Sequence, residues 1–233
     1  MAEFSPLAES IYSGNGMGQH YTNPEHTVVQ RSVALVRETD GKSVLDVACG
    51  RGLTSLALTK NTDVEHITAF DINKAAIEEL DKTARKEGLP IHAVVFDAAA
   101  SEGYGSVVTP ESIDVAVAKD VYPFLTPDNT RIMLSNIHDA LKPGGWLLIT
   151  SPSTRSRLYQ EAEPTGTPLY RKLNQAAKDY VQTDLDYFTF STIGNIAELM
   201  DDNDIEMVEA SHYGRAKGWI MALGQKNNTL LKR

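Results

Sequence analysis

Three aliphatic runs in this chain each carry an acid at or near their end: Asp46 in SVLDVA, Asp71 in HITAFD and Asp97 in IHAVVFD. After Asp46 come Ala48, Cys49, Gly50, Arg51 and Gly52. Glycines there let the backbone turn sharply and approach a ligand closely. A carboxylate ending the second run can accept hydrogen bonds from both hydroxyls of a ribose. One ending the third can accept from an adenine amino group. The Gly50-Arg51-Gly52 pair by itself is an ordinary tight-turn sequence. Its weight comes from the two acids that follow at the ends of the next two runs.

Elements that would hold these residues at one edge follow from the alternation of apolar runs. A helix is expected from Pro24 to Glu38, where Val28, Val29, Val33, Leu35 and Val36 recur at helical spacing. Beyond it, strands are expected at 43–48, 66–71, 91–97, 112–119 and 144–151, with helices at 53–60, 74–88 and 127–142 between them. Gly88 closes the second of these helices. Strands separated by helices of this length build parallel βαβ units with right-handed crossovers. The stretch 98–111 is rich in Gly and Ser and reads as irregular. After Pro152 the alternation breaks. Residues 153–190 mix aromatics with charges and show no strand pattern, so an inserted helical cover is expected. A helix at 192–202 and strands at 204–212 and 216–225 follow. Only a short turn around Gly214 joins the last two, which permits a hairpin but no helical crossover. The fold class is therefore α/β: a Rossmann-like, mostly parallel sheet of seven strands with an antiparallel last strand and helices on both faces. A single domain, 1–233, is expected, with 1–40 as an N-terminal cap segment and 153–190 as an inserted lid.

VLDVACGRG resembles the first motif of the class I S-adenosylmethionine-dependent methyltransferases, an acid followed by G-x-G-x-G. AFDIN resembles their ribose-binding segment, VVFDA their adenine segment and LKPGGWLLIT their turn into the fifth strand. The resemblance covers residues 42–151 well and the terminal strands by pattern. One departure is Ala48 in place of the family's first glycine. The resemblance implies a seven-stranded sheet and S-adenosyl-L-methionine as cofactor. Asp46, Ala48, Gly50 and Gly52 would surround its methionine portion, Asp71 would hold the ribose, and Ile72 would pack on the adenine. Asp97 and Ala98 would bracket the base edge, and Lys119 would contact methionine through its backbone. A dinucleotide dehydrogenase is the competing reading, since Asp71 could also hold an NAD ribose. Against it, the third fingerprint glycine falls at Ser55, and the terminal strand pair is wrong for that fold.

Methyl transfer from a sulfonium needs mainly a positioned acceptor, because the leaving group is already activated. Acceptor-side candidates are Asp120 and Tyr122 in AKDVYPFL, and His20 and Tyr21 in the N-terminal GMGQHYTNPEH. The former segment is similar to a D-P-P-Y motif but differs in spacing and lacks the first proline, so no nucleobase activity is assigned. His20 is the preferred base among the six histidines. Cys49 reads as a packing residue. No spacing of His, Cys, Asp or Glu suggests a metal site.

Composition bounds the partners. The formal charge is −9, and the densest basic stretch, Arg155 to Lys172, is broken by Glu161 and Glu163. Nucleic-acid binding needs concentrated positive charge, so a small-molecule acceptor is expected and nucleic acid is not. No run of about 18 apolar residues suggests a membrane span. The N-terminus shows no basic start before an apolar block, and a single cysteine excludes an internal disulfide. A cytoplasmic monomer or homodimer is expected. An RNA- or protein-directed methyltransferase and a non-catalytic cofactor-binding regulator stand as alternatives.

Overall fold

A computed structural model describes residues 27–175, 178, 186–214 and 218–228. Seven strands form one sheet: β1 (Ser43–Val47), β2 (His66–Asp71), β3 (Ile91–Val95), β4 (Ile113–Ala118), β5 (Leu141–Pro152), β8 (Ile205–Tyr213) and β9 (Trp219–Lys226). Their order is β3-β2-β1-β4-β5-β9-β8. The first five are parallel, and β9 runs antiparallel to both β5 and β8. The hairpin expected around Gly214 is present; its φ of 76° is the left-handed region that favours glycine.

The strands are apolar because both faces of the sheet are covered. Alternate residues feed two cores. Leu45, Val47, Ala116 and Ala118 point to one face, where α4 (Pro127–Ala140) and α6 (Ile193–Asp201) pack. Val44, Ile67, Val115 and Val117 point to the other, beneath α1 (Thr27–Thr39), α2 (Leu53–Asn61) and α3 (Lys74–Glu87). Helix ends follow their caps. Asn73 accepts the Ala76 amide at the start of α3, and Gly88, at φ 64°, ends it. Thr126 caps α4, and Thr192 with Asn195 forms a capping box on α6. Residues 98–111 are irregular, as expected, and fill their side of the sheet with Tyr104 and Val108.

Two expectations are corrected. β5 begins at Leu141, so LKPGG is a strand with a register shift opposite Ile113 and Val115 rather than a turn before one. The cover after β5 is not purely helical. Among its described residues it holds a short helix, α5 (Arg157–Glu161), and a two-stranded antiparallel sheet of β6 (Tyr170–Lys172) and β7 (Tyr187–Thr189). Nor does it lack an apolar face: Leu158, Ala162, Leu173, Phe188 and Phe190 form a separate small core with Phe124 and Tyr159. Three-residue strands are too short to show an alternation in the sequence, and their stability comes from aromatic packing across the segment.

Candidate functional site

The strand order reverses between β1 and β4, and ligands of open α/β sheets bind at the carboxyl edge of such a switch. The turn from β1 into α2 lies there. Ala48, Gly50 and Gly52 all have positive φ, at 54°, 55° and 75°. Left-handed backbone costs a residue with a Cβ about 1 kcal/mol, and Ala48 carries that strain where the family pattern has glycine. The two glycines serve different ends. A Cβ at Gly50 would meet nothing within 4 Å, so that backbone faces open space. A Cβ at Gly52 would lie 2.4 Å from Leu80 Cδ1, so Gly52 lets α3 close on the turn.

Asp46 is beneath this turn, 2% exposed. Its Oδ2 accepts the Ser55 amide at 3.1 Å and the Ser55 hydroxyl at 2.6 Å. The cap position of α2, Gly52, offers no side-chain cap, and the carboxylate of β1 takes over that role. Burial pushes the Asp46 carboxyl up to about 6, against the Ser55 hydrogen bonds and the Lys119 charge that lower it. Cys49 is also desolvated, with its thiol raised well above the usual range, which agrees with a packing role.

Asp71 ends β2. One oxygen accepts the Gly50 amide and the other the Asn73 amide, each at 2.8 Å. The acid of the second strand thus shapes the glycine turn of the first. A carboxylate oxygen can accept more than one hydrogen bond, and Asp71 is 1% exposed. Ile72 follows, half-buried. Asp97 lies two residues beyond the end of β3, its Oδ1 accepting the Ala99 amide at 2.8 Å. Ala98 is buried, and its carbonyl accepts the Tyr104 hydroxyl at 2.8 Å. Tyr104 in turn meets Phe70 and Phe96 edge-on, at 4.9 and 6.0 Å. This aromatic bracket under the adenine segment was not read from the sequence. An isolated Tyr in a Gly- and Ser-rich stretch was its signal.

Lys119 and Asp120 follow β4 and pair at 2.7 Å. Asp120 adopts a φ of 57°. Its amide donates to Thr150 Oγ1 at 2.8 Å, and that hydroxyl donates back to Asp120 Oδ1 at 2.9 Å. Both oxygens of Asp120 are therefore engaged, and Thr150, a polar residue within the apolar run of β5, locks the strained backbone. Tyr122 begins a 3-10 turn (Tyr122–Phe124) and is buried to 2% exposure. Its phenol is raised by burial and pulled back by the neighbouring Ser191 hydroxyl. Sequence reasoning missed Ser55, Thr150 and Ser191. His20 and Tyr21 lie outside the described residues.

The cover docks on this side. Phe188 packs on Phe124 with ring centres 5.4 Å apart, and the Thr189 hydroxyl donates to the Leu125 carbonyl. The Thr154 amide donates to the Ser191 carbonyl at 2.9 Å. Among the described residues no group of three or more His, Cys, Asp or Glu could hold a metal, and no helix is long and apolar enough to cross a membrane. A hollow lined by Val36, Arg37, Gly41, Lys42, Asn61 and Asp63 opens at the amino ends of the strands, away from all these residues.

Comparison with known proteins agrees with this geometry. Residues 44–145 match the methyltransferase-domain family. The chain is similar to a tRNA(Thr) (cytosine(32)-N(3))-methyltransferase of Saccharomyces cerevisiae, 29% identical over 48% of this chain and 18% of that one. It is also similar to a phthiotriol/phenolphthiotriol dimycocerosates methyltransferase of Mycobacterium ulcerans, 29% identical over 66% of this chain and 53% of that one. The chain thus spans about half or less of the length of these relatives. Its fold matches that of a Burkholderia thailandensis 1,6-didemethyltoxoflavin-N1-methyltransferase solved with 1,6-didemethyltoxoflavin and S-adenosylhomocysteine. The TM-score is 0.62 at 18% identity, over 87% of this chain and 80% of that one. Sequence match, strand order and the chemistry of the carboxyl edge coincide: residues 44–145 match a methyltransferase domain, and the fold is that of the class I S-adenosylmethionine-dependent methyltransferases.

Proposed function

We propose that this protein binds S-adenosylmethionine along the ends of β1, β2 and β3 and transfers its methyl group to a small-molecule acceptor beneath the 153–190 cover. The observation that carries the reading is the Gly50 turn. Its backbone faces open space at the switch point, and its amide is fixed by the acid that would hold the ribose. When bound, the cofactor would supply an activated methyl group to an acceptor's lone pair, with its sulfur as the leaving group. What this chain adds is placement. Gly50, Ala48 and the Lys119 backbone flank the methionine portion, Gly52 holds α3 against the turn, and Asp46 supports the turn from below through α2. Asp71 takes the ribose hydroxyls, while Ile72, Asp97 and Ala98 enclose the adenine.

Asp120, locked by Thr150 and Lys119, holds the post-β4 loop in register rather than taking up a proton. Tyr122 sets the floor of the acceptor side. A base, where the acceptor needs one, falls to His20, with Tyr21 capping the methionine end. The reading is of one domain, with 1–40 as cap and 153–190 as lid, working in the cytoplasm as a monomer or homodimer. A small acceptor is favoured over RNA because the net charge is −9, and phosphate recognition needs concentrated positive charge. The mycobacterial and Burkholderia enzymes support it by their names. The yeast tRNA enzyme supports an RNA-directed alternative, but its match is limited to 115 residues.

Calorimetry with S-adenosylhomocysteine tests the cofactor half. Asp71→Ala should weaken binding by about 2 kcal/mol or more, the scale of losing a charged hydrogen-bond partner. Unchanged affinity removes Asp71 from the site.

A further inference from the structure

The cover presents a cation that, among the described residues, no acid answers. Arg171 lies on β6 directly opposite Phe188 of β7. Residues paired across an antiparallel ladder project to the same side. Arg171 is thus on the side of the hairpin that carries Phe188 and, two residues on, Phe190, both buried. Its guanidinium carbon stands 4.1 Å over the ring of Tyr159. Tyr159 in turn packs on Phe190 with centres 5.3 Å apart. Among the described residues no carboxylate pairs with Arg171, whereas Arg157 pairs with Glu161 and Lys178 with Asp186. Its Nε is fully buried and makes no hydrogen bond. A buried donor on a charged group left unmade is costly, and such groups in folded proteins call for a partner.

We propose that Arg171 is the recognition residue for a carboxylate on the acceptor, and that the acceptor is an aromatic or otherwise flat apolar acid. The inference rests on the methyltransferase reading for the word acceptor but not for the binding site itself. The chemistry is that of the guanidinium edge. Nε–H and one Nη–H are parallel and coplanar and match the two oxygens of a carboxylate; because Nε is covered, a bound acid must displace the atoms over it. Tyr159, half-buried, supplies a flat apolar wall beside it, where offset or edge contacts with an aromatic ring are favourable, and the buried Phe188 and Phe190 back that wall from within. The hairpin is anchored to the loop after β4 through Phe124–Phe188 and Thr189–Leu125. An acid gripped by Arg171 is therefore held on the acceptor side of the sheet, and its remaining atoms are oriented by that one contact.

The test uses the full chain saturated with S-adenosylhomocysteine and a set of aromatic acids: benzoate, cinnamate, 4-hydroxyphenylacetate and indole-3-acetate. Each is paired with its primary amide, and binding is read by ligand-observed NMR. At least one acid should bind at least tenfold more tightly than its amide. Arg171→Gln should bring acid and amide to the same affinity, and Arg171→Lys, which keeps the charge but loses the fork, should recover only part of the difference. Cofactor affinity should stay unchanged in both variants. The acid-to-amide ratio in the unsubstituted protein decides the matter even where a variant folds poorly. Equal affinity for acids and amides, no binding of any acid, displacement by inorganic phosphate at lower concentration than by the acids, or an acid preference that survives Arg171→Gln each overturns the proposal. If S-adenosylhomocysteine itself does not bind, the methyltransferase reading falls alone, and the same titration without it still decides the role of Arg171.

Discussion

The cofactor edge and the cover are built by opposite means. At the edge, each functional residue is held by groups close to it in sequence or on the next strand. Asp46 is fixed by Ser55, Asp71 by Gly50 and Asn73, and Asp97 by Ala99. The cover is held by rings brought together from distant parts of the chain: Phe124 on Phe188, Tyr159 on Phe190, and Tyr170 stacked on Tyr187 at 5.2 Å. A backbone-built site keeps its shape when surface side chains change. A site built of side chains can be reshaped by a single substitution. That division suits an enzyme whose cofactor is constant within the family and whose acceptor is not.

The largest expected effect lies on the backbone-built side. Gly52→Val adds a β-branched residue at φ 75° and drives it into Leu80. Overpacking and left-handed strain together should cost about 4 kcal/mol, read as a lower midpoint in urea unfolding. Gly50→Ala, where no atom crowds the new Cβ, should cost about 1 kcal/mol of stability yet strongly weaken cofactor binding. If the two variants lose stability alike, the assignment of one glycine to packing and the other to ligand approach is wrong.

Phe188→Ala should cost about 3 kcal/mol, the scale for emptying a buried aromatic site. By the contrast drawn above, its effect should stay within the cover. Hydrogen exchange should show residues 157–173 and 186–190 losing protection while β1, β2 and cofactor affinity are unchanged. Loss of cofactor binding in this variant would mean that the two regions are one cooperative unit.

A further effect depends on pH. Asp46 binds its proton more tightly when folded, at about 6, than in the unfolded chain, near 3.8. Its contribution to stability is therefore fully present below pH 3.8 and is lost as pH rises through 6. Relative to Asp46→Asn, the unsubstituted protein should lose roughly 2 to 3 kcal/mol between pH 4 and pH 7. A flat difference in urea-unfolding free energy across that range would show that Asp46 is not desolvated as described.

The same contrast explains what could be read in the sequence. The strand ends and the glycine turn were legible because a parallel sheet buried on both faces writes itself as apolar runs, and left-handed turns call for glycine. β2 falls on the stretch expected, and the hairpin of β8 and β9 follows from its short turn. The role of Asp46 as a helix cap was not legible, because a residue within a strand gives no local sign that it serves the helix nine residues on. Arg171 and Phe188 were less visible still. Their pairing joins positions 171 and 188 across the interior of the cover, and three-residue strands leave no period to count.

One feature of the sheet bears on how the chain is made. Among the described residues β9 is the last strand, yet it lies inside the sheet, between β5 and β8. During synthesis β5 is finished early and keeps an open edge of unpaired amides and carbonyls. β8 emerges next and cannot join it directly, because β9 must come between them. Until residues 219–226 have left the ribosome, the nascent chain carries an unfinished edge on which strands of other nascent chains can add. A stall or truncation just before Trp219 should therefore yield a sticky species rather than a soluble fragment. For this sheet the most hazardous interval of biogenesis is the one between the emergence of β5 and that of β9.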